Sequence, residues 1–447
     1  MDLSTLKTCE LHVHSGGCLF AEDLLELGRD IYQDIDWTFF CNEYYKAFGQ
    51  RPDPIALFSE ALAGEVGLAR FREHYVFGQA DGGDFGRFQA KFNFSICIYR
   101  HWWHVLQRKV EVVRRIVNRH RDEGLDYIEY RSMAPFGIED VDGFMYFHRL
   151  NAEVMRQASG PGFTARYIIS VPRWAPLEGY ALVQRLLDEH PELVPTVVGL
   201  DLCFFEEGYP PKSVEALCHQ VAQDNRRVPE RALEIVYHVG ETYFDKSLES
   251  AVRWCHEAAL LGMRRLGHAV ALGLDPAVAV GRRPQAHQTE QVEERLDQIA
   301  YDLAHGDAMA AYGVETDKQD LAAEAEHLRQ RPPEDSVSRP YDAARLAQIR
   351  RRQDYALDGL AQLGTVIESC PTSNLRIGGV PDVQHHPVHR FLRSKVDLVI
   401  GADDPGIFDQ TLAQEIDWLS QYSDMETGRL VERLGDPRRF RLGQGRP

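Results

Sequence analysis

Cys9-Glu10-Leu11-His12-Val13-His14 is a short run with strand character that ends on two histidines and runs at once into a Gly16-Gly17 turn. Successive side chains of a strand point to opposite faces, so His12 and His14 share a face and can hold one metal ion. Alone, a His-x-His pair is equally compatible with solvent-facing or packed histidines. The same arrangement recurs down the chain, however. His238 closes an apolar run from Glu234, and Glu241 follows just past Gly240. His268 ends Arg-Leu-Gly-His, and Asp403 and Asp404 follow the run 396–401 and precede Pro405. A parallel barrel brings all such strand ends to one face, and the set collected there is the inventory of a catalytic zinc site.

Short β-rich runs alternate with longer amphipathic segments, the pattern of βα units around a parallel sheet. Strands are expected at 9–14, 127–132, 165–171, 196–202, 234–239, 265–269, 366–369 and 396–401, the eight that a closed (β/α)8 barrel needs. Helices are expected between them, for example at 104–123 and 247–261.

Two stretches exceed the minimal barrel. Residues 36–94 carry Trp37, Phe39, Phe40, Tyr44, Tyr45, Phe48, Phe71, Tyr75 and Phe77, and are read as helices over the barrel mouth, either a packed layer or a substrate lid. Residues 274–360 are polar and charged, with turn-like breaks at 282–284 and 331–335. Within them, 289–312 and 317–330 have the alternating charges of solvated helices.

Composition narrows the function. The 447 residues can hold one large barrel domain with insertions at about 36–94 and 274–360. A hydrophobic fraction of 44% is ordinary for a globular protein. No apolar run approaches a membrane span, and residues 1–9 contain no signal-like core, so a cytoplasmic protein without membrane partners is expected. A formal net charge of -18 argues against nucleic acid as a partner and for a small-molecule substrate. The eight cysteines, at 9, 18, 41, 97, 203, 218, 255 and 370, form no Cys-x-x-Cys pair and are read as reduced core fillers. The oligomeric state leaves no mark in the sequence.

At the strand ends, His238 brings an imidazole toward the metal and Glu241 a carboxyl toward the substrate. Alternatively, Glu241 is an acidic residue favoured at a helix N-terminus. Asp403 and Asp404 suit a ligand and a substrate acceptor, or an Asp-Pro turn and helix cap. His268 taken alone is as compatible with a core histidine.

Taken in order, these motifs resemble the adenosine deaminase family of the metal-dependent amidohydrolase superfamily. The matching segments are Glu10-Leu11-His12-Val13-His14, Tyr127-Ile128-Glu129-Tyr130-Arg131 with Pro135 downstream, Val198-Gly199-Leu200-Asp201-Leu202, His238-Val239-Gly240-Glu241, Gly267-His268, Cys370-Pro371-Thr372-Ser373-Asn374, His386-Pro387 and Asp403-Asp404-Pro405. The resemblance implies a (β/α)8 barrel in which His12, His14, His238 and Asp403 bind one Zn²⁺ per chain, although Fe²⁺, Co²⁺ or Mn²⁺ suits the same donors. It also implies that Asp403 accepts a proton from the attacking water and that His268 orients that water. Protonated Glu241 then donates to the ring nitrogen, and Asp404 hydrogen-bonds a further ring nitrogen. Gly240, in the same turn, is expected to contact the substrate, as are Gly16 and Phe204. Cys370 to Asn374 are expected to be structural, and Glu129 and Arg131 to form a buried ion pair or support beneath the site.

The implied reaction is hydrolytic deamination of an adenine-type nucleoside or related aminated purine or heterocycle, with release of ammonia. Two alternatives stand beside it, an amide- or ester-cleaving hydrolase and a catalytically silent relative. Departures from the family concern the substrate. Where the family has Leu-Asp-Gly after the histidine pair, with the Asp on the sugar hydroxyl, this chain has Ser15-Gly16-Gly17. Where the family has Ala-Gly-Asp-Glu, this chain has Cys203-Phe204-Phe205-Glu206. Gly16 and Phe204 are therefore expected to reshape the pocket. The connection between His268 and Glu368 is also longer than the family's.

Overall fold

The computed structural model describes residues 2–104, 109–135, 137–282, 289–377 and 379–444. Eight strands, β1 (Cys9–His14), β2 (Tyr127–Ser132), β3 (Thr164–Ser170), β4 (Val197–Leu202), β5 (Glu234–Val239), β6 (Arg265–His268), β7 (Val366–Ser369) and β8 (Asp397–Ile400), pair in parallel in chain order. Every strand expected from the sequence is present, with ends within about a residue of its expected position. The apolar runs were readable because both faces of a parallel barrel strand are covered.

The ring closes where β1 meets the segment after β8. His14 N donates to Asp403 O at 2.8 Å and Asp403 N to His12 O at 3.0 Å, across a parallel bridge between Val13 and Asp403. The buried Glu10 carboxylate spans the same seam, accepting from His12 N at 2.7 Å and from Ala402 N at 3.0 Å. A side chain thus supplies the acceptors that a regular ladder would have supplied.

Charges fill the middle of the barrel. Arg131 donates to Glu368 at 2.6 Å with neither side chain exposed, and Arg265 reaches both Glu129 and Glu368. Glu129 and Arg131 are thus not partners of each other; each pairs across the barrel. The C-terminal segment plugs the far end, where Leu442 N donates to Glu129 at 2.8 Å and Arg265 donates to Phe440 O at 2.9 Å.

The first insertion folds as helices Thr38–Phe48, Pro54–Ala63, Glu65–Tyr75 and Phe85–His104. Trp37, Phe40, Phe58 and Phe71 pack around the buried Phe94, so most of the aromatics form a packed layer. The helix expected at 104–123 is observed as Lys109–Asp122, and 105–108 lie outside the described residues. The helix expected at 247–261 runs Leu248–Leu260, with Ser247 Oγ accepting from Ser250 N as its cap.

The second insertion differs from expectation. Its helices, Val292–Met309 and Lys318–Leu328, are not simply solvated, because Val292, Ile299, Ala325 and Leu328 bury a small core of their own. Their charges pair locally, Arg295 with Glu324 at 2.6 Å and Arg352 with Asp302 at 3.0 Å. A short antiparallel pair, Thr289–Gln291 with Ser336–Ser338, was not expected. The break at 331–335 precedes the second of these strands, and 283–284 lie outside the described residues. Helix Ala343–Leu363 returns to pack on Leu248–Leu260 and leads into β7. All eight cysteines are buried and unpaired. Among the described residues no helix is long and apolar enough to cross a membrane.

Candidate active site

The C-terminal strand ends bring the sequence-selected residues to one cavity of ≈ 610 Å³, lined among others by His14, Gly16, Phe204, His238, Glu241, His268, Asp403 and Asp404. His12 lies just beneath, fully buried. Gly240 does not line the cavity. Its φ of 66° and its packing against Cys255 and Ala271 make it the turn that swings Glu241 inward.

Donor atoms converge there. His14 Nε2 lies 3.1 Å from His238 Nε2, and Asp403 Oδ1 lies 3.4 Å from His12 Nε2 and 3.3 Å from His14 Nε2. Donors at ~2.1 Å around one tetrahedral ion sit about 3.4 Å apart. His12 Nε2 and Asp403 Oδ1 are buried and hydrogen-bond to no protein group. His268 Nε2 also approaches, so that the donors of His12, His238, His268 and Asp403 fall within 4.8 Å of one another. The residues present fit a divalent transition metal.

Three of the four imidazoles are aimed by a second residue. His12 Nδ1 donates to Glu368 at 2.8 Å, His238 Nδ1 to Asp201 at 3.0 Å, and His268 Nδ1 to Asn374 Oδ1 at 2.9 Å. Burial alone would raise the Glu368 carboxyl, but Arg131 and Arg265 reverse this and hold it well below its ordinary value. An ionised carboxylate only accepts, which fixes the proton on His12 Nδ1 and turns the Nε2 lone pair toward the cluster. Burial lowers His14 to about 4 and His238 to about 3, so both rings are neutral, as ligands must be.

The acids are tuned apart. Burial would raise Asp403, yet its close contact with His12 and the charge of His268 keep it well below the carboxylate range. Asp404, beside it, is driven well above that range by burial and then by the charges of Asp403 and Glu241. Burial also lifts Glu241 to about 7. Against the effect of burial, Glu241 and Asp403 raise His268, whose Nε2 lies 3.8 Å from Glu241 and 3.9 Å from Asp403. Groups pushed apart in this way mark acid and base positions.

Backbone strain gathers at the same strand ends. His268 and Asp403 have φ of 64° and 60°, in the left-handed region that non-glycine residues rarely adopt. Such strain costs of order 1–3 kcal/mol per residue and is retained where the surroundings enforce it. Gly17 has a different necessity, because a Cβ there would lie 1.8 Å from Asp404 Oδ1. Gly17, Asp201, Glu368 and Asn374 therefore support the site, although the sequence offered no role for Gly17, Asp201 or Glu368 and only a structural one for Asn374.

Comparison with known proteins bears on this arrangement. The adenosine deaminase family model matches residues 341–432, a stretch that contains Cys370–Asn374, His386–Pro387 and the Asp403–Asp404 pair. Over that stretch the chain resembles the adenosine deaminase family. It is similar to the adenine deaminase of Rhizobium leguminosarum bv. trifolii, 41% identical over 70 residues covering 15% of this chain and 22% of that protein. It is also similar to the aminodeoxyfutalosine deaminase of Acidothermus cellulolyticus, 38% identical over 74 residues covering 17% and 18%. The matched stretch thus spans about a fifth of these relatives' length. The crystal structure of the Arabidopsis N6-mAMP deaminase superposes with a TM-score of 0.54 over 99% of this chain and 95% of that one, at 14% identity. At that identity the likeness speaks for the TIM-barrel fold alone.

Proposed function

We propose that this chain is a metal-dependent hydrolytic deaminase of an adenine-type nucleoside or a related aminated purine. The reading rests on one observation, that Glu241 and Asp404, both held toward their neutral forms by burial, share a cavity with the ionised Asp403 and the histidine cluster. A hydrolase of amides or esters uses the donor cluster and Asp403 but has little use for a paired Glu241 and Asp404.

His12, His14, His238 and Asp403 would hold the ion, with zinc the first candidate. Bound there, it supplies Lewis acidity and lowers the pKa of water toward neutrality. Asp403 takes the proton of the attacking water at a carboxylate oxygen. His268, held by Asn374, orients that water and offsets charge as oxygen adds to the ring carbon bearing the amino group. Glu241 gives its proton to the adjacent ring nitrogen, which relieves the electron pair displaced by the new C–O bond. Asp404 sets the ring's orientation by a hydrogen bond to a further ring nitrogen. The C–N bond then breaks as the amino nitrogen takes the proton held by Asp403 and leaves as ammonia, the hydroxyl proton passes back to Glu241, and a ring carbonyl remains.

The residue roles, the treatment of 1–447 as one catalytic domain and a cytoplasmic location belong to the same proposal. Ammonia release from the metal-loaded protein, compared with Glu241→Gln at equal metal content, tests it. Loss of deamination with metal retained supports the reading, and unaltered turnover overturns it.

A further inference from the structure

We infer that the substrate carries, beyond its aminated ring, a second aromatic or comparably bulky apolar group, which occupies the outer half of the cavity where a phosphate would be disfavoured. The ring's identity rests on the deaminase reading above; the outer group rests on the cavity wall.

Among the described residues, every strongly exposed phenylalanine or tryptophan lines this one cavity: Phe39 at 39%, Trp174 at 51%, Phe204 at 42% and Phe205 at 39%. Other exposed apolar side chains, such as Val66 and Leu363, lie singly elsewhere, whereas these four rings gather around one cavity, and a clustered apolar patch marks a binding site. The rings also connect. Phe204 meets Phe205 edge-on at 4.6 Å, Phe205 meets Phe85 at 4.8 Å, and the chain continues to Phe88 and Phe92 at 5.7 Å each along helix Phe85–His104. It ends at Gly16, where a Cβ would come within 3.1 Å of Phe92. The aromatic wall therefore runs unbroken from the cavity mouth to the turn beside His14, and the missing side chain at Gly16 makes room for its last ring.

Phe204 is held open against its own backbone preference. Its φ of 72° is a conformation that glycine adopts freely and phenylalanine does not. A strained residue that presents a ring to solvent is expected of a ligand clamp, where bound substrate covers the ring.

Charge points the same way. The cavity's cationic side chains, apart from its histidines, are Arg100 and Arg131, and it has no lysine among its described lining residues. Arg131 is engaged by Glu368 and by Leu11 O. Arg100 lies over the Phe39 ring at 4.8 Å and donates to Pro135 O at 3.4 Å. A phosphate dianion would thus face one guanidinium amid aromatic carbon, an undercompensated burial of charge. A flat apolar group gains stacking contacts there instead.

The zinc-loaded full chain is assayed for ammonia release from adenosine, AMP, 5′-deoxy-5′-(phenylthio)adenosine and 9-benzyladenine. The expected result is a kcat/KM at least about tenfold above adenosine for one of the aryl compounds, with AMP below adenosine. Phe204→Gly, which suits the observed φ, and Trp174→Ala should each cut that advantage severalfold. Deamination with AMP preferred, or with no advantage to either aryl compound, overturns the inference and leaves the deaminase reading intact. If no aminated purine is deaminated, that reading falls, and binding decides the inference. Tighter binding of 9-benzylpurine than of purine, by calorimetry, upholds the apolar outer site, and equal affinity overturns it.

Discussion

His12 Nδ1 donates to Glu368 Oε2 across 2.8 Å, at a depth where neither side chain has any exposure. The contact links a strand-end histidine to a carboxylate 356 positions away, and that carboxylate is itself held by Arg131 and Arg265. Glu368→Gln removes the negative charge from both arginines and lets an amide present the wrong face to His12. Metal affinity should fall 10–100-fold, and unfolding stability should drop by about 3–5 kcal/mol. Chelator competition and denaturant unfolding measure the two effects. Unchanged metal affinity would remove Glu368 from the support of the site.

The acid role of Glu241 carries a pH signature. Its carboxyl, raised by burial to about 7, is active when protonated. The rate of the chemical step should therefore hold below pH 7 and fall about tenfold per unit as pH rises beyond it. Single-turnover rates between pH 5.5 and 8.5 check this. A rate that climbs through that window would assign the titrating group as a base instead.

Gly17 leaves space for Asp404, since a Cβ would sit 1.8 Å from its carboxylate oxygen. Gly17→Ala should displace that carboxylate and lower kcat/KM roughly 10²-fold while metal content stays stoichiometric. Metal analysis beside steady-state kinetics separates these effects, and a variant of normal activity would remove Asp404 from substrate positioning.

Glu415 lies buried beneath the Cys370 turn and accepts from Thr372 N at 3.2 Å. Burial lifts its carboxyl to about 8 in the fold, whereas it titrates near ~4.3 in the unfolded chain. Between those values the folded state binds one more proton, so stability falls with rising pH by up to about 1.4 kcal/mol per unit. Glu415→Gln should flatten that slope and raise Tm at pH 8 relative to wild type. Parallel Tm-against-pH slopes for the two proteins would contradict the assignment.

The barrel was readable because each strand is a short apolar run that ends in a chemically distinctive residue. Every residue chosen for the metal cluster therefore sits at a strand's C-terminal end. The orienting partners were not readable in the same way. Asn374 lies 106 positions from His268 and Asp201 lies 37 from His238, and only strand order brings them together. The charged helices Val292–Met309 and Lys318–Leu328 concealed their core for another reason. Val292, Ile299, Ala325 and Leu328 form a narrow stripe, and the alanines and charged residues interspersed around it blur the apolar period. The strands of the short antiparallel pair are three residues each and mostly polar, too brief for periodicity to register.

Ammonia release by the zinc-loaded chain from a panel of adenine, adenosine, deoxyadenosine, AMP and aryl-substituted adenosines, with metal occupancy verified, tests the deaminase reading most directly. Turnover of at least one compound, abolished in Glu241→Gln at unchanged zinc content, is the expected result. Silence across the panel with the metal in place would contradict the reading and favour a hydrolase of amides or esters at the same donor cluster.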